Sequence, residues 1–187
     1  SMYAKLKAGG GGYDVITPSS YMSAVMRKQD MLVPLNHDLL TNIGHMDKKF
    51  TRLTEDPEME FSVPYTRTVT GVGYDINRVK ESDLGSWDIF GNSAYSKRMT
   101  MLNDMRETIG AALKYLGYSI NSTNVNELEE ARDVLLNWKR NLAKVDVDGA
   151  KIGLASGEFM VIQGYNGDVA LIMEETDDIG FYIPKEG

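Results

Sequence analysis

Short apolar segments alternate with amphipathic helical segments along most of this chain. The apolar runs at 99–102, 158–165 and 180–184 have the length and composition of buried β-strands. The segments 126–139 and 169–175 have helical character instead, and in the first of them the apolar residues recur at helical spacing. Strands that alternate with helices are typical of α/β proteins. The alternation therefore predicts the α/β fold class.

The composition is that of a folded, acidic protein. Of the 187 residues, 42% are hydrophobic and 25% are charged, and the formal net charge is −7. Such a chain can form one ordinary domain or two small ones. The acidic balance argues against a nucleic-acid partner, which would require a basic face, and is compatible with a cationic ligand. The absence of cysteine from these residues excludes disulfides, thiolate metal sites and cysteine nucleophiles within them.

The ends of the sequence suggest a piece of a longer protein. No run approaches the about 20 apolar residues of a membrane span, and the first residues do not have the pattern of a signal peptide. Residues 2–12 are typical of a helix-to-strand connection inside a domain. We therefore expect the chain to be a fragment that is truncated at both ends.

Two glycine-rich stretches invite comparison with phosphate-binding loops. Gly9–Gly12 follows a predicted helix over 2–8, and Gly71-x-Gly73 lies in a predicted long strand over 61–75. Neither stretch has the lysine of a P-loop or the strand–loop–helix order of a dinucleotide-binding turn. A helix stop and strand glycines are the better interpretations.

The two histidines do not indicate a metal site. His37 and His45 share no helical face and lie in loop-like sequence, whereas a metal site needs more ligands at closer spacing. No histidine stands beside a plausible nucleophile, and no nucleophile-elbow motif is present. The sequence therefore predicts neither a metal nor any other cofactor.

A predicted strand over Tyr13–Thr17 leads into 18-PSSY-21 and then into a helix. Either Ser19 or Ser20 can cap that helix. Small hydroxyl side chains between a strand and a helix N-terminus also occur where open α/β sheets bind ligands. Taken alone, the segment favours the cap.

The segment 104-DMRE-107 opens an amphipathic helix with two carboxylates. Asp104 and Glu107 have the spacing of a capping box with aspartate as the cap. The helix dipole would stabilise each carboxylate there by about 0.3–1 kcal/mol. The pair could instead act as a general acid and base, or accept hydrogen bonds from a cation. The local sequence by itself favours the cap.

Tyr165 follows a buried apolar strand and precedes an Asn-Gly pair. The residue therefore lies at the carboxyl end of a predicted strand, the end at which open α/β sheets bind ligands. A ligand contact and an aromatic side chain that merely flanks a turn are equally compatible with this position.

Several segments in order resemble the spermidine/putrescine-binding proteins of polyamine ABC importers. The resemblance runs across essentially the whole chain, and its helix motif, D-x-R-E-x-x-G-x-x-L-x-x-L-G-Y-S-x-N-S/T-T, is highly specific. The segments that carry the resemblance are 3-YAKLKAGGGGYDVITPSSYM-22, 62-SVPY-65, 86-SWDIF-90, 104-DMRETIGAALKYLGYSINSTN-124 and 184-PKEG-187.

The resemblance implies a bilobal, periplasmic-binding-protein-like fold of type II. Members of the family are much longer than this chain, which resembles their middle. Residues 1–65 would then be part of lobe 1, 66–183 a nearly complete lobe 2, and 184–187 the truncated second hinge crossing. The resemblance further implies a periplasmic or membrane-anchored extracytoplasmic receptor, with an ABC permease as its partner and no enzymatic activity.

The resemblance also implies a site for a polyamine between the lobes. In the family, carboxylates bind the ammonium groups and aromatic rings cover the methylene groups. By position, Ser19 and Tyr21 would contribute from lobe 1, and Asp104, Glu107 and Tyr165 from lobe 2. For the 187-residue chain itself we expect weak polyamine binding or none, together with self-association or domain swapping.

Two positions depart from the family pattern. Arg67 stands where many relatives carry tryptophan, and Asn103 replaces a frequent acidic neighbour of the carboxylate pair. A positive charge near the hinge could disfavour a polyamine. Two alternative functions are therefore a receptor for another organic cation and a polyamine sensor. An enzyme that uses Asp104 and Glu107 is a remote alternative.

Overall fold

The computed structural model describes residues 2–51 and 55–187. The chain forms two compact units, Ser1–Arg67 and Thr68–Gly187. Residues 184–187 belong to the second unit, where the backbone N–H of Lys185 donates to the carbonyl of Gly85 at 2.9 Å.

The first unit is built from short helices joined by irregular chain. The predicted helix near the start ends where Gly9 adopts a left-handed conformation, with φ of 81°. The described helices of this unit are α1 (Met2–Lys7), α2 (Ser20–Arg27) and α3 (Lys48–Thr51), with 3₁₀ turns at His37–Leu39 and Ile43–His45.

The strand predicted over Tyr13–Thr17 is wrong. No residue of that range pairs with another strand, and residues 2–51 and 55–67 contain no strand. The side chains of Tyr13 and Val15 are 53% and 85% exposed. β-branched residues favour a strand where a neighbouring strand bonds the backbone and covers the side chains. The described part of this unit offers the segment no such neighbour.

A buried aspartate organises residues 56–62 of the first unit. Asp56 is 5% exposed and accepts hydrogen bonds of 2.8–3.0 Å from the backbone N–H groups of Glu60, Phe61 and Ser62 and from the Ser62 hydroxyl. Burial alone would raise the pKa of Asp56, but these donors outweigh it and hold that pKa below its usual value. The loop is thus ordered around one ionised side chain.

The second unit contains a five-stranded sheet in the order β3-β2-β4-β1-β5. β2 pairs in parallel with β3 and β4, whereas β1 runs antiparallel between β4 and β5. The strands are β1 (Thr70–Asp75), β2 (Met99–Met101), β3 (Leu142–Val145), β4 (Val161–Tyr165) and β5 (Ile179–Tyr182). The helices are α4 (Met105–Tyr115), α5 (Val125–Lys139), α6 (Asp148–Ala155) and α7 (Asn166–Met173).

Two strands differ from the sequence-based expectation. The strand predicted over 61–75 begins only at Thr70, because pairing with β4 starts there. β3 was not predicted from the sequence: only Leu142 of its four residues is buried, so neither an apolar run nor an alternation marks it. Parallel pairing with β2, rather than local pattern, makes this segment a strand.

Strand side chains divide between two apolar layers, one on each face of the sheet. Val161 packs in the layer that contains Trp138 and the buried residues of α4 and α5. Its neighbour Ile162 packs in the other layer, with Leu154 of α6 and Val169 of α7. Successive residues of a strand face opposite sides, so β4 is covered on both. This double burial explains its continuous apolar sequence.

Close packing of β1 against β5 predicts that Gly71→Ala destabilises the second unit. A Cβ atom at this position would lie 2.5 Å from the Tyr182 carbonyl oxygen and 2.5 Å from Cζ of Phe181. We expect the free energy of unfolding to fall by about 1–3 kcal/mol. Denaturant unfolding followed by tryptophan fluorescence measures it, because Trp87 and Trp138 both lie in this unit.

The matched control is Gly167→Ala in the first turn of α7. A Cβ atom there meets nothing within 4 Å, so we expect no loss of stability and a gain of up to about 1 kcal/mol. Equal stability of the two variants would contradict the packing argument.

Candidate ligand-binding site

The carboxyl edge of the sheet in the second unit carries the predicted site residues. β2, β3 and β4 end at this edge, and α4, α6 and α7 begin there. Because β1 runs antiparallel to β4, its first residue, Thr70, also lies at this edge. Ligands of open α/β sheets bind outside the carboxyl ends of the strands, where helix N-termini converge.

Asp104 caps α4, as the sequence predicts. Its Oδ1 accepts hydrogen bonds from the backbone N–H groups of Arg106 at 2.9 Å and Glu107 at 3.2 Å. The reciprocal half of a capping box is absent, because the Glu107 carboxylate accepts its hydrogen bond from Thr70 instead. The Glu107 side chain therefore binds β1 and does not cap α4.

The structure brings Asp104, Glu107 and Tyr165 together through β1. The Thr70 hydroxyl donates to Oε2 of Glu107 at 2.6 Å, and Thr70 is the register partner of Tyr165 across β1 and β4. Oδ2 of Asp104 and Oε1 of Glu107 accept no hydrogen bond from residues 2–51 and 55–187. Each carboxylate is half-buried and has one oxygen that no donor of the described residues reaches.

Other carboxylates at this edge have a basic partner. Asp146, which follows β3, lies 3.0 Å from Nζ of Lys144, and this hydrogen bond holds the pKa of Asp146 below its usual value. Asp168, in the first turn of α7, lies 3.2 Å from Nζ of Lys151. Among the described residues, Asp104 has no such ion pair.

Glu107 likewise forms no ion pair with the described lysines, arginines and histidines. Arg106, between the two carboxylates in sequence, donates from Nη2 to Oδ1 of Asn121 at 3.1 Å. The edge therefore combines two carboxylates that have lysine partners with two that have none.

Tyr165 occupies the N-cap position of α7 and is half-buried. The residue after it, Asn166, exchanges two hydrogen bonds of 2.9 Å with the backbone of Val69, one through its own N–H and one through its Oδ1. These bonds tie the start of α7 to the chain that enters β1. Tyr165 is thereby held at the edge between two anchored segments.

Sequence reasoning missed two residues of this edge, Thr70 and Gln163. Gln163 is fully buried within β4, and its signal was a polar residue inside an apolar run, since a buried carboxamide must find hydrogen-bond partners. Thr70 carried no comparable signal. Its importance comes from the antiparallel pairing of β1, which the local sequence does not reveal.

Ser19 and Tyr21 lie in the first unit, at the start of α2. Ser19 occupies the N-cap position, and its carbonyl accepts hydrogen bonds from the N–H groups of Met22 and Ser23. Its side chain makes no capping bond, so the expected hydroxyl cap is not formed at Ser19. The Tyr21 side chain is 37% exposed.

The arrangement at the edge suits an ammonium group. Charge-assisted hydrogen bonds to carboxylates contribute roughly 1.5–3 kcal/mol each, and an aromatic ring adds a cation–π attraction of about 0.5–2 kcal/mol.

Within residues 2–51 and 55–187 no group of three or more histidine, aspartate and glutamate side chains is arranged to hold a metal ion. None of the helices described is both long and apolar enough to cross a membrane.

Residues 2–187 match the family described as bacterial extracellular solute-binding protein. The chain belongs to this family. Its members are substrate-binding proteins, and the residues matched include both compact units.

Curated relatives match the whole chain. The spermidine/putrescine-binding periplasmic protein of Escherichia coli is 31% identical over 188 residues, which cover 100% of this chain and 54% of that protein. The putrescine/cadaverine-binding protein of Pseudomonas aeruginosa is 33% identical over 206 residues, with 100% and 56% coverage. The chain thus spans about half the length of the curated relatives it matches.

Solved structures confirm the predicted periplasmic-binding-protein-like fold. The TpPotD lipoprotein of Treponema pallidum superimposes with a TM-score of 0.88 at 34% identity, over 99% of this chain and 59% of that one. The spermidine/putrescine substrate-binding protein of Streptococcus pneumoniae gives a TM-score of 0.79 at 30% identity, over 99% and 57%. The similarity to the polyamine-binding family seen in the sequence motifs is therefore confirmed.

The cap geometry predicts different effects for two substitutions of Asp104. Asp104→Ala removes the acceptor for two backbone N–H groups and is expected to lower the free energy of unfolding by about 1 kcal/mol. Asp104→Asn keeps an acceptor oxygen and is expected to cost only a few tenths of a kcal/mol. Denaturant unfolding followed by tryptophan fluorescence compares them. Equal losses would show that Asp104 does not stabilise α4 by capping.

Proposed function

We propose that this chain forms part of an extracytoplasmic polyamine receptor of an ABC-type importer. The observation that carries the proposal is the pair of carboxylates, Asp104 and Glu107, which lack basic partners among the described residues while Asp146 and Asp168 at the same edge have lysine partners. A site that binds a cation needs carboxylates whose charge is not already neutralised by a lysine or arginine of the protein. Asp104 and Glu107 have no such neighbour among the described residues.

A linear polyamine fits the chemistry of the edge. Spermidine and putrescine are flexible alkyl chains with separated ammonium groups, so they need carboxylates at some points and apolar cover at others. Asp104 and Glu107 would accept hydrogen bonds from an ammonium group, and the Tyr165 ring would cover adjacent methylene groups. Relatives that are named for binding putrescine with either spermidine or cadaverine support the ligand class.

The two compact units would be the two lobes of the receptor. In this proposal residues 1–65 are part of lobe 1, 66–183 are lobe 2, and 184–187 begin the second hinge crossing. The boundary between the compact units, after Arg67, supports the first division to within two residues. Ser19 and Tyr21 would then contact the ligand from lobe 1, and ligand binding would close the lobes.

Such a receptor performs no chemistry, and its partner is the membrane permease. The closed, loaded form is the one that the permease would recognise. Relatives described as periplasmic, and one described as a lipoprotein, support a location outside the cytoplasmic membrane.

A receptor for another organic cation, or a polyamine sensor, is the second candidate. The observation that favours it is Arg67, which is exposed and forms no hydrogen bond or ion pair with the described residues. A guanidinium that keeps its charge would disfavour an ammonium group bound next to it. Competition of cadaverine, agmatine and quaternary amines against spermidine would distinguish the candidates.

The test of the proposal is calorimetry with spermidine and putrescine on the longest natural form of the protein. We expect micromolar or tighter binding of at least one of them. Asp104→Asn and Glu107→Gln should each weaken that binding by about 10- to 100-fold, since each removes a charge-assisted hydrogen bond. The absence of heat and of competition at micromolar concentrations would reject the proposal.

The matched control for these variants is Asp133→Asn on α5. It removes the same charge from an exposed position whose carboxylate already pairs with Arg132 at 2.9 Å. Affinity should be unchanged. An equal loss in this control would show that net charge, rather than a site at the sheet edge, governs binding.

We also propose that the 187-residue chain self-associates through its first unit. The support is the exposed segment 13–17, which is rich in β-forming residues but has no strand partner among the described residues. Strand exchange between two copies would supply that partner. We expect a concentration-dependent dimer in sedimentation velocity that Val15→Lys, a charge at the 85% exposed position, shifts to monomer.

The control for self-association is Val125→Lys, a substitution at the 66% exposed first residue of α5 in the second unit. It should leave the dimer intact. A monomer at all concentrations in the unsubstituted chain would contradict the self-association proposal.

A further inference from the structure

A hydrogen-bonded network lies behind the Glu107 carboxylate. Thr70 donates its hydroxyl proton to Oε2 of Glu107 at 2.6 Å, an ordinary distance for a hydroxyl bound to a carboxylate. Gln163 donates from Nε2 to the backbone carbonyl of Glu107 at 3.0 Å. Glu107 is therefore held at both its main chain and its side chain.

Gln163 fixes the main chain of the first turn of α4. The side chain is fully buried in β4, and its Oε1 accepts from the N–H of Leu102 at 3.2 Å. The same oxygen lies 3.2 Å from the hydroxyl oxygen of Thr108, whose proton is donated to the Leu102 carbonyl at 2.7 Å. Together with the bond to Glu107, one carboxamide thus connects β4, the end of β2 and the start of α4. With the backbone position set, only the χ angles of Glu107 remain free.

Thr70 removes that remaining freedom. A glutamate side chain has three rotatable bonds, and at a half-exposed position several rotamers are ordinarily accessible. The bond from Thr70 selects the rotamer that places Oε2 against β1. The hydroxyl has a single proton, so it binds one oxygen only and leaves Oε1 available.

We propose that Thr70 is a positioning residue, which holds the Glu107 carboxylate ready to accept a hydrogen bond from an ammonium group through Oε1. The reference to an ammonium group rests on the proposed function, whereas the ordering of Glu107 by Thr70 does not. A preorganised carboxylate loses less conformational freedom on binding than a mobile one, and the ligand therefore binds more tightly. Thr70 itself need not contact the ligand.

The first experiment uses no ligand. Three-bond scalar couplings that report on the χ1 angle of Glu107 are measured by NMR in the unsubstituted chain, in Thr70→Val and in Thr70→Ser. We expect one rotamer in the unsubstituted chain, averaged couplings in Thr70→Val, and recovery of the single rotamer in Thr70→Ser. Unchanged couplings in Thr70→Val would overturn the proposal, whatever the protein binds.

The second experiment measures spermidine affinity by calorimetry on the longest natural form of the protein. Thr70→Val should weaken binding about tenfold, and Thr70→Ser should restore affinity to within about threefold. Thr123→Val, which alters an exposed threonine that has no described hydrogen bond, is the matched control and should have no effect. Loss of affinity in Thr70→Val without rescue by serine would overturn the proposal.

A double-mutant cycle links the two residues. In a Glu107→Gln background, Thr70→Val should have less than a threefold further effect, because the charged carboxylate that Thr70 orders is gone. Additive losses would show that Thr70 acts on the ligand by another route and would overturn the proposal. Failure of the unsubstituted protein to bind spermidine would reject the proposed function only, since the NMR result stands without ligand.

Discussion

The antiparallel placement of β1 between β4 and β5 is the constraint on which the second unit depends. It reverses one strand in an otherwise parallel set, and so the first residue of β1 meets the last residue of β4. Thr70 reaches Glu107 for this reason, and Val69 reaches Asn166. The close approach of Gly71 to β5 shows how little space the reversed strand leaves.

Charge pairing divides the carboxylates of the carboxyl edge into two kinds. Asp146 and Asp168 have lysine partners close by, which make them poor acceptors for an external cation. Asp104 and Glu107 bind neutral donors instead, a pair of backbone N–H groups and a hydroxyl. Neutral donors orient a carboxylate without cancelling its charge. Asp104 therefore caps α4, and Glu107 is bound to β1, while both carboxylates keep their negative charge.

Much of the second unit could be predicted from the sequence, because its signals are local. β4 is marked by an apolar run, α5 by an amphipathic repeat, and the cap at Asp104 by its residue type and position. Two of the failures have a common cause. The expected strand over Tyr13–Thr17 and the unexpected β3 both depend on whether a partner strand lies alongside, and no local pattern contains that information.

The sequence by itself determined the fold class, the family and the identity of the carboxylate pair, because residue type, spacing and motif order are properties of the chain alone. Only the tertiary structure decided the side-chain partners of Glu107 and Asp168. The Thr70–Glu107 hydrogen bond joins residues 37 positions apart, and the Lys151–Asp168 ion pair joins residues 17 positions apart. Hydrogen bonds and ion pairs between residues far apart in sequence depend on strand order and register, which folding sets.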